Sequence, residues 1–319
     1  MSIVYSPQEV AKLAIGALED LKSTAGAGLR SGIASLDEIM LPFRPGELVI
    51  VMGYTSNYKS GFSNYLIKSA LKQCQENEIV IKVTWEDSVE EDTIKWIASD
   101  ADISVTSLIK DDNSSRWNEI MSSYSKRAVT PLWIVGHSNT ESAKEAKSRP
   151  RLTMTDVVRA CDHIRSKATD NNYKIRMIVL DYLQRIRPDS TDGGTKREQM
   201  MEAVNKAKDL AISFGCPVIL GVQASRQVLE RDFKLPRLDD GLETSNIEQS
   251  SDKIISLWMP IKTEREGSII DSLNIEVSKN LLICGVLKQK MGEAPVVMPL
   301  YVDPGKNFIA PMAVERISF

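Results

Sequence analysis

The stretch ELVIVMGYTSNYKS, residues 47–60, decides how the rest of the chain is read. Leu48 to Met52 is an unbroken apolar run, the composition of a parallel strand buried on both faces. The next eight residues, Gly53-Tyr54-Thr55-Ser56-Asn57-Tyr58-Lys59-Ser60, have the outline of a GxxxxGK[ST] loop, and SGFSNYLIKSALKQC after them has the pattern of a helix. Strand, loop and helix in that order make backbone N–H groups and a helix N-terminus converge on phosphate. Lys59 then reaches the terminal phosphates and the Ser60 hydroxyl faces Mg²⁺, with Thr55, Ser56, Asn57, Tyr58 and Gly61 completing the cradle. One position departs from the outline. Tyr58 replaces the glycine before the lysine, where positive φ is expected and a bulky side chain costs about 1 kcal/mol or more.

The same alternation extends in both directions from this stretch. EIVIKVTW (78–85), PLWIVG (131–136), IRMIVLDYL (175–183) and CPVILGVQ (216–223) are further strands. Between them lie helices at SVEEDTIKWIASD (88–100), with Ser88 as cap and Glu91 completing the box, around 115–126, from Thr153 or Thr155 onward, and at EQMMEAVNKAKDLAISFG (198–215), stopped by its glycine. This predicts an α/β fold with a mostly parallel sheet. Beyond Asp252 the segments KIISLWMP, SIIDSLNIEVS, LLICGVLKQK and PVVMPLYV are strand-rich, which predicts antiparallel extensions at the sheet edge. At the other end, SPQEVAKLAIGALEDLKS reads as an amphipathic helix capped by Ser6 and Glu9, tethered by the glycine-containing TAGAGLRSG. The domain division is therefore 1–28 for the helix and tether and 29–319 for the main body. Residues 138–151 carry no apolar stripe and read as an exposed loop.

Composition narrows the functions. The 319 residues carry a formal charge of -3, so contact with nucleic acid must come from a local patch or a channel built by several copies. Cys74, Cys161, Cys216 and Cys284 lie far apart with only His137 and His163 as possible co-ligands, which favours buried thiols over a zinc site or disulfide framework. No run approaches the ~20 apolar residues of a membrane span and no signal-peptide pattern opens the chain, so a cytoplasmic protein is expected.

Three side chains at strand ends extend the phosphate loop into a site. Asp181 closes the IRMIVLD strand and can hold Mg²⁺ through water opposite Ser60. Glu86 follows the EIVIKVTW strand and can polarise an attacking water, while Gln223 ends CPVILGVQ and can sense a γ-phosphate. Each has an ordinary alternative: a buried strand ending in Asp, an acid capping the next helix, a polar strand end. Their common place at the carboxyl ends of parallel strands is where open α/β sheets bind ligands.

The order SGIASLDEIMLPFRPGELVIVMG, the phosphate loop, WED, IVLDYLQ, PVILGVQASR, DDGLETSNIEQSSD and LKQKMG resembles the RecA-type motor domain of DnaB-like replicative helicases, over residues 31 to about 308. The resemblance implies ATP hydrolysis with Mg²⁺ between the subunits of a homo-hexamer moving on single-stranded DNA. In these terms Lys59 and Ser60 bind phosphate and metal, Glu86 is the catalytic base, Asp181 the Walker B acid and Gln223 a sensor. LKQKMG resembles the hairpin that sends a lysine and an arginine finger into the neighbouring site, places taken here by Lys288 and Lys290. A lysine supplies charge without the planar fork of arginine. The N-terminal helix resembles the linker helix that docks on the adjacent motor, the family's helical N-terminal domain has no counterpart, and a primase or loader is an implied partner.

The DNA-facing loop, 242–246, also departs from the family pattern, with Leu242 where an arginine is usual and Ser245 where glycine is usual, while Glu243 remains. Arg226, Arg231, Lys234 and Arg237 precede it and either contact DNA phosphates in compensation or solubilise an exposed loop. Lys196 and Arg197 are a further channel-facing possibility. Changes at Tyr58, Lys290 and Leu242 leave a second reading open, a RecA-fold scaffold that binds nucleotide or DNA and recruits partners with little or no helicase activity. A recombination or regulatory ATPase on the same sheet is the third, and the DYLQ and IEQ elements speak against it.

Overall fold

The computed structural model describes residues 4–22, 28–139, 152–170, 173–187, 195–241, 244–312 and 317–318. The decisive stretch becomes β1, Leu48–Gly53, buried along its whole length. Its alternation explains why it needs no polar face: Leu48, Ile50 and Met52 enter one core layer, while Val49 and Val51 enter the other.

Helix α1 spans Pro7–Lys22 and α2 is the short Ala34–Asp37. After β1 come α3 (Lys59–Gln73), β2 (Glu78–Thr84), α4 (Val89–Asp100), α5 (Val105–Lys110), α6 (Trp117–Val129) and β3 (Leu132–Val135). The chain continues through α7 (Met154–Asp170), β4 (Lys174–Asp181), α8 (Lys196–Phe214), β5 (Val218–Gln223), α9 (Thr244–Ser250) and β6 (Lys253–Trp258). A small hairpin, β7 (Ile269–Ile270) and β8 (Ile275–Glu276), precedes β9 (Leu281–Gln289), β10 (Val296–Asp303), β11 (Phe308–Pro311) and β12 (Ile317–Ser318).

The large sheet runs β11-β10-β9-β6-β1-β5-β4-β2-β3, with β12 also on β10. From β6 through β3 the pairings are parallel, and β9, β10 and β11 add antiparallel strands on one side, as expected from their sequence. One face is covered by α7 and α8 through Val157, Cys161, Val204 and Leu210, the other by α3 through Phe62, Leu66 and Ile67. Cys161, Cys216 and Cys284 are buried free thiols.

Local signals account for the helix boundaries. Ser88 and Glu91 form the expected capping box on α4, Thr195 and Glu198 form another on α8, and Gly215 closes α8 in the left-handed conformation at φ 59°. The Ser6 backbone N–H donates to Glu9 at 2.7 Å, and the Ser6 hydroxyl accepts from the Glu9 N–H at 3.3 Å. Among the described side chains of α1, Val10, Leu13, Ile15 and Leu18 are all exposed.

The structure revises part of the element reading. SIIDSLNIEVS is a pair of two-residue strands in a sheet of their own, not an extension of the main one. Helix α5 and strands β11 and β12 are additions to the elements that the sequence pattern predicts. Of the loop 138–151, residues 140–151 lie outside the described residues. Among the described residues no helix is long and apolar enough to cross a membrane.

Candidate nucleotide site

Parallel register brings the strand ends together. Gly53 at the end of β1 pairs with Gln223 at the end of β5, and Asp181 at the end of β4 pairs with Thr84 at the end of β2, two residues before Glu86. A cleft of about 400 Å³ opens over these ends, lined by Thr55 through Gly61, Glu86, Tyr182 and Gln223 among others. The expected nucleotide-site residues of the loop and strand ends thus converge on one edge, with Gly53 and Asp181 beneath it.

The loop between β1 and α3 is fixed by its own polar groups. Asn57 is buried, its Oδ1 accepting from the Met259 N–H at 2.7 Å and its Nδ2 donating to the Thr55 carbonyl at 3.0 Å. Ser56 and Tyr58 both adopt positive φ, 63° and 65°, so the backbone at 58 has the conformation that glycine would accept without strain. Tyr58 is among the residues that line the cleft, which stays open at about 400 Å³. Its phenol ring turns toward α3 and packs where Gly61 has no side chain; a Cβ at Gly61 would stand 2.4 Å from the ring. The Tyr58 hydroxyl donates to Asn307 Oδ1 at 2.8 Å, and burial pushes its pKa up.

Lys59 Nζ donates to the Gly53 and Tyr54 carbonyls at 2.9 and 3.0 Å, so its charge is held over the loop. Burial lowers its pKa to about 8, against the opposing pull of Asp181 and Glu86. Asp181 is buried, and burial raises its pKa while Lys82 and a hydrogen bond from the Ser60 hydroxyl pull it down. Its Oδ1 has no hydrogen-bond partner among the described residues. A buried carboxylate oxygen without a donor beside a serine hydroxyl matches the oxygen-rich half-shell that Mg²⁺ takes when most of its other ligands are water and phosphate.

Gln223 Nε2 donates to Thr55 Oγ1 at 2.8 Å, linking the sensor position to the loop. Glu86 is half-exposed, with Arg185 Nη2 at 4.0 Å. Several contributors escaped the sequence reading. Gln184 brackets Gln223, accepting from its N–H at 3.0 Å and donating to its carbonyl at 3.2 Å. Lys82, buried in β2, pairs with buried Asp92 and with Asn64; a lysine inside an apolar strand was the available signal. Lys262 lines the cleft from the segment after β6, with no signal in its local sequence.

The other expected residues lie elsewhere. Lys288 and Lys290 are at the far end of β9, whose register sets Gln289 opposite Lys253 at the start of β6. Lys288 donates to the carbonyls of Glu248 and Ser251, and Lys290 pairs with Asp252, which also takes the Leu48 N–H and Lys208. They therefore sit at the amino edge of the strands, roughly 16 Å of β1 away from the phosphate loop. Of the basic residues after β5, Arg231 is in a two-pronged pair with Asp240 at 2.6 Å and Lys234 pairs with Glu264 at 2.6 Å, so both are engaged within the chain. Arg226 and Arg237 are exposed. Leu242 and Glu243 lie outside the described residues, as does the side chain of Ser245 in α9; Lys196 and Arg197 open α8.

Residues 28–306 match the family model for the DnaB-like helicase C terminal domain. The chain belongs to the DnaB-like helicase C-terminal domain family. It is similar to the replicative DNA helicase DnaB of Haemophilus influenzae, 28% identical over 251 residues, covering 76% of this chain and 49% of that protein. Against DnaB of Geobacillus stearothermophilus the identity is 20% over 283 residues, covering 88% and 56%. The chain thus spans about half the length of the curated relatives it matches. Among solved structures, one ATPase domain superposes with a TM-score of 0.78 at 18% identity, covering 97% of this chain and 99% of that one. A DnaB-like replicative helicase described with its interactions with primase superposes at 0.75 and 18% identity, covering 97% and 67%. The fold is accordingly that of DnaB-like RecA-fold ATPase domains.

Proposed function

We propose that this chain is the ATP-hydrolysing motor of a DnaB-like helicase, acting on single-stranded DNA as a ring or helix of six copies. The observation that carries the reading is the unpartnered, buried Oδ1 of Asp181 next to the Ser60 hydroxyl, under a cleft that Lys59 reaches. Mg²⁺, when bound, supplies neutralising charge to the phosphates of ATP. Lys59 exchanges two loop carbonyls for phosphate oxygens, Glu86 orients and deprotonates the attacking water, and Gln223 reports the γ-phosphate to the loop through Thr55.

The far-edge position of Lys288 and Lys290 supports a composite site. Neither can reach the cleft of its own chain, so their charge serves catalysis only in the cleft of a neighbour, with Lys290 leaving Asp252 to do so. Assembly has two matching surfaces: the exposed apolar face of α1, and a cleft of about 260 Å³ lined by Ile94, Leu108, Trp117, Met121 and Tyr124 between α4, α5 and α6. Laying α1 of one copy in that groove of the next buries both. Arg226 and Arg237 are exposed cations that can meet DNA phosphates, and a primase or loader is the partner class for the finished assembly.

ATP turnover with and without single-stranded DNA, run beside Lys59→Ala, tests this reading. DNA-stimulated turnover lost in the variant is expected; equal rates for the two proteins would leave only a nucleotide- or DNA-binding scaffold.

A further inference from the structure

The turn between β10 and β11, residues 303–307, lies far from the phosphate loop in sequence and touches it in space. Asn307 at the turn's end accepts the Tyr58 hydroxyl at 2.8 Å. The other side of the turn is fastened to the end of α4 and the segment after it: Ser99 Oγ donates to the Lys306 carbonyl at 2.5 Å, and Lys306 Nζ lies 3.0 Å from Asp102. Within the turn, the Gly305 N–H donates to Asp303 Oδ1 at 3.0 Å, and Asn307 takes a positive φ of 48° that asparagine tolerates. A turn braced at both ends is a rigid support, and Pro304 in it lines the nucleotide cleft.

Tyr58 is therefore an added contact point where a glycine would have none. Its ring occupies the space over Gly61, so the strained backbone at φ 65° is held by a seated side chain. We propose that Tyr58 is a positioning residue that clasps the phosphate loop to the 303–307 turn through Asn307, keeping the cradle in its phosphate-binding shape before nucleotide arrives. The proposal rests on the nucleotide reading of the cleft. It converts an apparent defect of the loop into preorganisation, which lowers the ordering cost that binding would otherwise carry.

Tyr58→Phe removes only the hydroxyl, and Asn307→Gly removes its acceptor while tolerating the positive φ. Binding of methylanthraniloyl-ADP by the full chain, with melting temperature and amide hydrogen exchange of residues 54–60 measured without nucleotide, tests the clasp. Each variant is expected to bind about fivefold more weakly, the equivalent of about 1 kcal/mol for one lost hydrogen bond, and to exchange faster in the loop. The double variant should bind no more weakly than either single one, because both remove the same contact. Affinities within twofold of the parent, losses that multiply in the double variant, or unchanged loop exchange would each overturn the clasp. A purely structural role would lower the melting temperature and leave affinity unchanged. If the parent binds no better than Lys59→Ala, the nucleotide reading falls and takes the clasp's role with it, whereas tight parental binding with indifferent variants removes the clasp alone.

Discussion

Tyr58 shows how a local rule and a distant contact can disagree without either being wrong. Sequence spacing identified its position and its left-handed backbone, because the loop outline fixes which residue precedes Lys59. The seat that compensates the strain was not legible, since it depends on Asn307, 249 positions away, and on the missing side chain of Gly61. Tyr58→Gly should accordingly weaken nucleotide binding: relief of about 1–2 kcal/mol of strain is outweighed by loss of the packed, partly buried ring and its hydrogen bond. Titration with nucleotide decides the sign, and tighter binding would refute the compensation. Lys59 gives a second outcome. With its pKa lowered to about 8 by burial, the amine loses its proton as pH rises through that value, so nucleotide affinity should fall above about pH 8, and binding there should take up a proton. Affinity measured from pH 6.5 to 9.5 checks this, with Lys59→Ala expected to show weak binding and no break near 8.

Strands and helices were legible where periodicity was long and cores were continuous. β1, β4 and β5 each bury a run of apolar residues, and their shared edge follows from parallel order alone. Failures fell on short elements: β7, β8 and β12 have two residues each, too few for alternation to register, and β11 ends in a proline. Lys82 on β2 stood out as a lysine in an apolar strand, but its buried partner Asp92 on α4 was not legible, because the strand says nothing of what its lysine meets. This pair joins the sheet to the layer that carries the apolar groove. Lys82→Met leaves Asp92 buried without its cation and should cost about 3–5 kcal/mol, while Lys82→Met combined with Asp92→Leu should recover most of it. Denaturant unfolding of the three proteins measures the difference.

At the scale of the whole molecule, the proposed function calls for assembly. The proposed assembly rests on three features: a helix with an exposed apolar face, an apolar groove on the α4–α6 layer, and two lysines at the edge opposite the cleft. Removing residues 1–27, or changing Trp117→Asp in the groove, should reduce the particle mass in solution, and light scattering at matched concentration reads it. The resemblance of ordered motifs implied such an assembly and its docking helix, whereas the groove proposed to receive that helix emerged only from exposure in the folded chain. A mixing experiment bears on the proposed shared site with the least interpretation. Under the proposed function, Lys59→Ala would lack a working cradle and Lys290→Ala the donated charge, yet a mixed interface would join the intact cradle of one to the intact lysine of the other. ATP turnover of the equimolar mixture should rise well above the sum of the two variants measured apart; a rate equal to that sum, or full turnover by Lys290→Ala alone, would contradict hydrolysis between neighbouring copies.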